Sequence, residues 1–159
     1  MKKISLLFLL SLPLIASRCA DHALQPVQKV EATLLGINEV PAVTTQASGK
    51  FTGTFDPNTK MLKFNLSYTG LSPVAGHIHS GAAGTNGPVV IPFLSVATSP
   101  IAYEVILTDA QVTGLQTNNL YTNLHTPMYP GGEIRAGHCA IRNWLTADRE
   151  RQISYPIID

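Results

Sequence analysis

The segment "SGKFTGTFDPNTKMLKFNLSYTGL", residues 48–71, limits the fold more than any other stretch of this chain. Leu62, Phe64, Leu66 and Tyr68 recur at every second position, with Lys63, Asn65 and Ser67 between them. Side chains alternate between the two faces of a strand, so this pattern describes a strand buried on one face only. In the run before it, Phe51 and Phe55 share a face. The two runs are joined by "DPNTK", where proline presets φ and asparagine tolerates a positive φ. The reading is an antiparallel hairpin. A lone hairpin is marginal in water, so the chain must supply more strands and a second apolar layer.

The rest of the sequence supplies them. "KVEATLLG" mixes apolar and polar positions, and "NEVPAV" breaks it at Pro41. "AGHIH" is a short strand that runs into the bend "SGAAGTNGP". "VVIPFL" is a strand interrupted by Pro92, which implies a sheet edge or a bulge. "IAYEVILT" alternates again. "DAQVTGLQTN" is expected to form one helical turn capped by Asp109. "NLYTNLHT" reads as a strand, "PMYPGG" as a turn and "EIRAGHCAI" as the returning strand. Twelve glycines and eleven prolines fit this density of turns. No long amphipathic helix and no internal repeat is present. The expected class is all-β, a sandwich or barrel of short antiparallel strands.

The ends of the chain read differently. Residues 1–17 have the form of a signal peptide: Lys2 and Lys3, an apolar run from Ile4 to Ile15, then Ala16-Ser17 as a cleavage point. Export to the periplasm or the extracellular space follows from that reading. Cys19 offers an alternative, lipid anchoring, although Arg18 stands where a lipoprotein signal prefers a small residue. Membrane attachment is expected only through a lipidated Cys19. Residues 18–29 form an N-terminal segment and 142–159 a C-terminal tail. An oxidising compartment would permit a disulfide between Cys19 and Cys139. Cys139 has two other readings, a buried thiol or a soft metal ligand beside His138. Charged residues are 13% of the chain and the net charge is +1, so there is no basic excess for nucleic acid.

The chemistry concentrates in "GHIHSGAAGTNGPVV", residues 76–90. His77 and His79 stand two apart on a strand and project to one face. Two imidazoles so placed suit copper or zinc. If the "YTNLHT" strand runs beside "GHIH", His125 becomes the third ligand. His138 is a further candidate ligand or a surface residue. The competing reading is structural: His77 and His79 hydrogen-bond to backbone groups and brace the bend. Glu133 and Arg135 share a face, as a structural ion pair or with Glu133 orienting an imidazole N–H. Asn123 is read as capping a loop or holding His125. Tyr121, Tyr129 and Met128 are candidates to wall the site, and Met128 is a soft donor besides. Asn86, Gly87 and Pro88 shape the turn. His22, beside Asp21, is incidental or a weak metal scavenger. There is no G-x-S-x-G, no H-E-x-x-H and no phosphate loop, which argues against a hydrolase.

"LLGINEVPAV", "GHIHSGAAGTNGPVV", "YTNLHT" and "PGGEIRAG" occur in the order found in the CHRD domain, named after chordin, and the chain resembles that family over residues 30–141. His138 departs from the family pattern, in which glutamine is more typical after the GEIR segment. The family occurs in secreted bacterial proteins and in animal chordin. A His-x-His strand in such a fold is also similar to the copper site of copper–zinc superoxide dismutases, which are Greek-key β-sandwiches. These resemblances imply three functions. The first is an exported copper-binding protein for storage, delivery or protection, with His77, His79, His125 and His138 as ligands and zinc as the other metal. The second is a metal-free module that binds a protein or glycan. The third is a copper-dependent dismutase-like enzyme, although no loop that would carry a second, zinc site is visible. A homodimer is a further partner state left open.

Overall fold

The computed structural model describes residues 24–137 and, by backbone alone, 140–142. The expected signal segment, Cys19, Asp21, His22, His138, Cys139 and the tail from residue 143 lie outside the described residues, as does the Cys19–Cys139 disulfide. Among the described residues there are nine strands: β1 Gln28–Leu35, β2 Ser48–Asp56, β3 Met61–Thr69, β4 Ala75–Ser80, β5 Val89–Pro92, β6 Ile101–Ile106, β7 Leu120–His125, β8 Ile134–Ala136 and β9 Ala140–Arg142. A 3-10 turn covers Gly36–Asn38 and one helix, α1, covers Asp109–Gln116. The protein is all-β, and every strand pairing is antiparallel.

The sheet runs in the order β5-β4-β7-β8-β1-β2-β3-β6, with β9 paired to β1, and curls into a half-barrel. The hairpin legible in the sequence forms as β2–β3, with Phe51 opposite Leu66 and Phe55 opposite Leu62. On the same face, β1 adds Val30 and Leu34, while β6 sets Tyr103 opposite Phe64. Phe51 stacks on Phe64 with centroids 4.5 Å apart. On the far wing, Ile78 of β4, Leu124 of β7 and Ile134 of β8 turn to the same interior. The curl brings both wings onto one core, which is how a single sheet covers its own apolar face.

Three local features differ from expectation or refine it. In the 56–60 turn the positive φ falls on Lys60, not on Asn58. Asp56 explains this: its carboxylate accepts from the Asn58 N–H and the Thr59 hydroxyl, which holds those residues in the turn. The helix is two turns rather than one. Its cap is Thr108, whose hydroxyl accepts from the Gln111 N–H while Gln111 bonds back to the Thr108 N–H, a capping box. Asp109 sits one residue inside and pairs with Lys60 at 2.6 Å, on the surface. Pro92 is both at an edge and beside a bulge. β5 ends the sheet, and its register with β4 slips between Ile78 and His79.

Candidate metal centre

The register of β4, β7 and β8 determines what lies on the face opposite the core. His77 pairs with Asn123, His79 with Tyr121, Ala75 with His125, and Asn123 with Arg135. Residues opposite one another in a ladder share a face. Ile78, Leu124 and Ile134 therefore point inward, while His77, His79, Tyr121, Asn123, His125 and Arg135 form a polar layer on the other side. An outer sheet face is ordinarily solvated. Most of this one is not: Asn123 is 1% exposed, Arg135 4%, Tyr121 4% and His79 8%, while His77 and His125 are half-buried.

Three connections roof it. The 36–45 segment is tied down by Asn38 Nδ2, which donates to the Arg135 carbonyl, and by Glu39, whose carboxylate meets Arg135 Nε at 3.0 Å. From the 81–88 bend, the Thr85 carbonyl and the Asn86 amide oxygen accept from the two terminal nitrogens of Arg135. Asn86 also donates to the Val40 carbonyl, joining the first two connections. The 126–133 turn ends at Glu133, whose two carboxylate oxygens accept from Thr45 at 2.8 Å and Thr126 at 2.7 Å. Glu133 and Arg135 are thus not an ion pair with each other. Arg135 belongs to Glu39, and Glu133 is satisfied by two hydroxyls. Nor does Glu133 orient an imidazole.

Backbone carbonyls do that instead. His79 Nδ1 lies 2.9 Å from the Gly87 carbonyl and His125 Nδ1 lies 2.9 Å from the Pro130 carbonyl. A carbonyl only accepts, so each Nδ1 carries the hydrogen and each Nε2 is left with its lone pair. Nε2 of His79 is buried and has no hydrogen-bond partner among the described residues. Nε2 of His125 lies 3.1 Å from Nδ1 of His77 and 3.0 Å from Oδ1 of Asn123. One ligand atom from each of His77, His79 and His125 falls within 4.8 Å of the others. His125 joins the His77–His79 pair from 48 positions beyond His77. His138 lies outside the described residues.

The charged forms of two of these imidazoles are disfavoured. Burial holds the pKa of His77 below the ordinary value, and the neighbouring His125 and His79 add to the effect. Burial also lowers that of His125, against the opposing pull of the Pro130 carbonyl, with His79 and Arg135 lowering it further. Desolvation raises the pKa of Glu39 above its ordinary range, and the Arg135 guanidinium opposes that shift.

Tyr121 does wall the site. Its ring stacks on His79 at 4.9 Å and 5°, and the Arg135 guanidinium lies 4.0 Å from its centroid. One ring face has no room for both, so Tyr121 is held between the two. Its hydroxyl accepts from the Gly87 N–H. Met128, at 78% exposure, projects into solvent instead, and Tyr129 is half-buried with its backbone bonded to Thr126. Asn123 Oδ1 lies 3.0 Å from Nε2 of His125, the neighbour named in one of its two expected roles. Gly87 is obligatory for the bend: a Cβ there would stand 1.7 Å from the Ser80 carbonyl oxygen. The bracing role of His79 is also real, since its Nδ1 bonds the bend. That bond leaves Nε2 free, so bracing by His79 does not occupy the nitrogen that a metal would need.

Glu39, Thr45 and Thr126 escaped the sequence reading. Glu39 alone carried a signal, as the single charge between Leu34 and Val43, a mostly apolar stretch. The CHRD domain, as a family model, matches residues 30–137. No curated protein and no solved structure matches the chain.

Proposed function

The chain belongs to the CHRD domain family, and from that premise we propose that it is an exported protein that binds a copper ion through His77, His79 and His125. The observation that carries this reading is Nε2 of His79, a buried lone pair without a partner among the described residues. A buried acceptor left unsatisfied costs about 1–3 kcal/mol, a cost removed when it coordinates a cation. The set is also prepared for ligation. Metal binding needs neutral imidazoles, and burial favours the neutral form of His77 and His125. The second nitrogens of His79 and His125 are bonded to carbonyls, which fixes the tautomer in the manner common to metal-bound histidines.

Copper is preferred to zinc because divalent affinity for nitrogen donors peaks at copper. His138 is an optional further ligand. Storage, delivery or protection is the role proposed for the bound ion. Export rests on the signal-like residues 1–17. Among the described residues no helix is long and apolar enough to cross a membrane.

A second reading has one observation in its favour. His79 Nδ1 ties the 81–88 bend to the sheet, as a metal-free binding module for a protein or glycan would also require. Metal analysis of protein purified without an affinity tag separates the two. Stoichiometric copper supports the first reading. Equal copper titration by wild type and a His77/His79/His125 triple alanine variant would leave the second.

A further inference from the structure

The contact between Asn123 and His125 turns on which ring nitrogen of His125 carries the hydrogen. The side chain is 1% exposed, and its Oδ1 lies 3.0 Å from Nε2 of His125. Because the Pro130 carbonyl fixes the hydrogen on Nδ1, neutral His125 presents a bare lone pair at Nε2. That lone pair faces an oxygen, which has no hydrogen to give. Turning the amide over would not help. Its nitrogen faces the Glu39 carboxylate across the gap left by Gly132, where a Cβ would stand 2.4 Å from Glu39 Oε1 and 2.8 Å from Asn123 Nδ2. A reversed amide would set oxygen against carboxylate. His77 Nδ1 can donate to the same Nε2, but that still leaves Oδ1 of Asn123 without a donor.

With the His125 hydrogen on Nδ1, Nε2 of His125 and Oδ1 of Asn123 present two lone pairs 3.0 Å apart, a separation that suits two donors on one small cation. The neighbouring atoms complete the set. Nε2 of His79 is unpartnered and buried, and the three imidazoles converge within 4.8 Å. Oδ1 of Asn123 stands on the same sheet face, aimed at the same place. Behind the amide, Arg135 Nε holds Glu39 Oε2 at 3.0 Å, and Glu39 Oε1, buried and without a hydrogen-bond partner among the described residues, lies on the side of the amide nitrogen. No thiolate or thioether joins the set among the described residues.

We propose that Asn123 is a fourth protein ligand, so that three imidazole nitrogens and one carboxamide oxygen together take a borderline divalent cation such as Cu2+ or Zn2+. This rests on the metal reading above and adds to it a ligand, a donor set and a class of ion. Glu39 and Arg135 are positioning residues, acting on the ion only through the amide. An amide oxygen is a neutral, fairly hard donor, which suits a divalent ion and offers nothing to soft Cu+.

The test is Cu2+ titration of the untagged protein by calorimetry, with electron paramagnetic resonance of each complex. Wild type, His79→Ala, Asn123→Ala and Asn123→Asp are compared. Wild type should saturate with nitrogen superhyperfine structure, and His79→Ala should lose most of the binding. Asn123→Ala should weaken binding at least about ten-fold and shift g∥. Asn123→Asp puts an oxygen donor back. It should recover the affinity to within a few-fold or exceed it, with its own distinct g∥. Spectra of both Asn123 variants identical to wild type would overturn the assignment, leaving Asn123 as a mere support for His125. If Asn123→Ala does not fold, the spectrum of Asn123→Asp decides alone. A wild type that binds no copper ends the metal reading itself, and this assignment with it. A wild type that binds, with unchanged Asn123 spectra, ends only the assignment.

Discussion

Nδ1 of His77 lies 3.1 Å from Nε2 of His125, across 48 positions of sequence. The two imidazoles cannot both be cationic at that distance without strong repulsion, and burial already disfavours the charge on each. The contact therefore belongs to neutral rings, and it sets the response of the protein to acid.

Stability should fall on acidification, beginning near the ordinary histidine value of 6.5. The sign follows from proton counts. His77 and His125 have lowered folded values, so between those values and 6.5 the unfolded chain binds protons that the folded chain refuses. Stability contributed by these groups is full above 6.5 and declines as pH falls toward the folded values. Glu39 acts in the opposite sense. Its folded value is raised above 4.5, so its contribution is full below 4.5 and is lost as pH rises through the raised value. Thermal melts of metal-free protein from about pH 7.5 to about pH 5 test this. Replacing His77 by glutamine should flatten the decline, and an unchanged slope would refute the account.

Copper should raise the melting temperature of the wild type, because an ion bound only by the folded state stabilises it by mass action, by about 2.7 kcal/mol at a hundred-fold excess over Kd. His79→Ala should abolish most of that shift and cost at least about ten-fold in copper affinity. A His79→Ala variant with the full wild-type shift would remove His79 from the site.

Glu39 and Arg135 should behave as a unit. Their side chains are 3% and 5% exposed, so removing one partner leaves the other charge buried and unpaired, at a cost of about 3–5 kcal/mol. Glu39→Ala and Arg135→Ala are each expected to destabilise by that order in urea unfolding. A double replacement by Leu and Met should cost clearly less than the sum of the single changes. Simple additivity would show that the pair is not coupled.

Gly87→Ala tests the bend. Its Cβ would enter the Ser80 carbonyl, 1.7 Å away, so the bend must shift, at roughly 1–3 kcal/mol. The Gly87 carbonyl moves with it and releases Nδ1 of His79. Copper affinity should then drop together with stability. A loss of stability with unchanged affinity would show that the carbonyl does not fix the ring.

In the core, Phe51 is fully buried and stacked on Phe64. Phe51→Ala should cost about 3–5 kcal/mol without altering metal stoichiometry, since the ring lies on the interior face and the histidines on the other. Calorimetric titration of the variant below its melting point checks this.

Much of this was written in local sequence. The period of two in 61–69 specifies the β2–β3 hairpin because alternation needs only neighbouring residues and a solvent on one side. Pro92 announces an edge because a missing N–H cannot serve a central ladder. His77 and His79 share a face by strand geometry alone. The nearness of His125 to His77 and His79 was conditional on one pairing, β4 with β7, and the tertiary structure decided that pairing. What local sequence could not carry is the roof. Alternation distinguishes two faces of a strand, but it does not say that the polar one is covered. That depends on the 36–45, 81–88 and 126–133 connections closing over it. The ion pair that locks them joins Glu39 to Arg135, 96 positions apart, while Glu133, two positions from Arg135, turns to Thr45 and Thr126. Proximity in sequence favoured the wrong partner. Burial chose the right one, because a charge taken out of water needs a partner wherever the fold brings it, and only the assembled fold sets that distance.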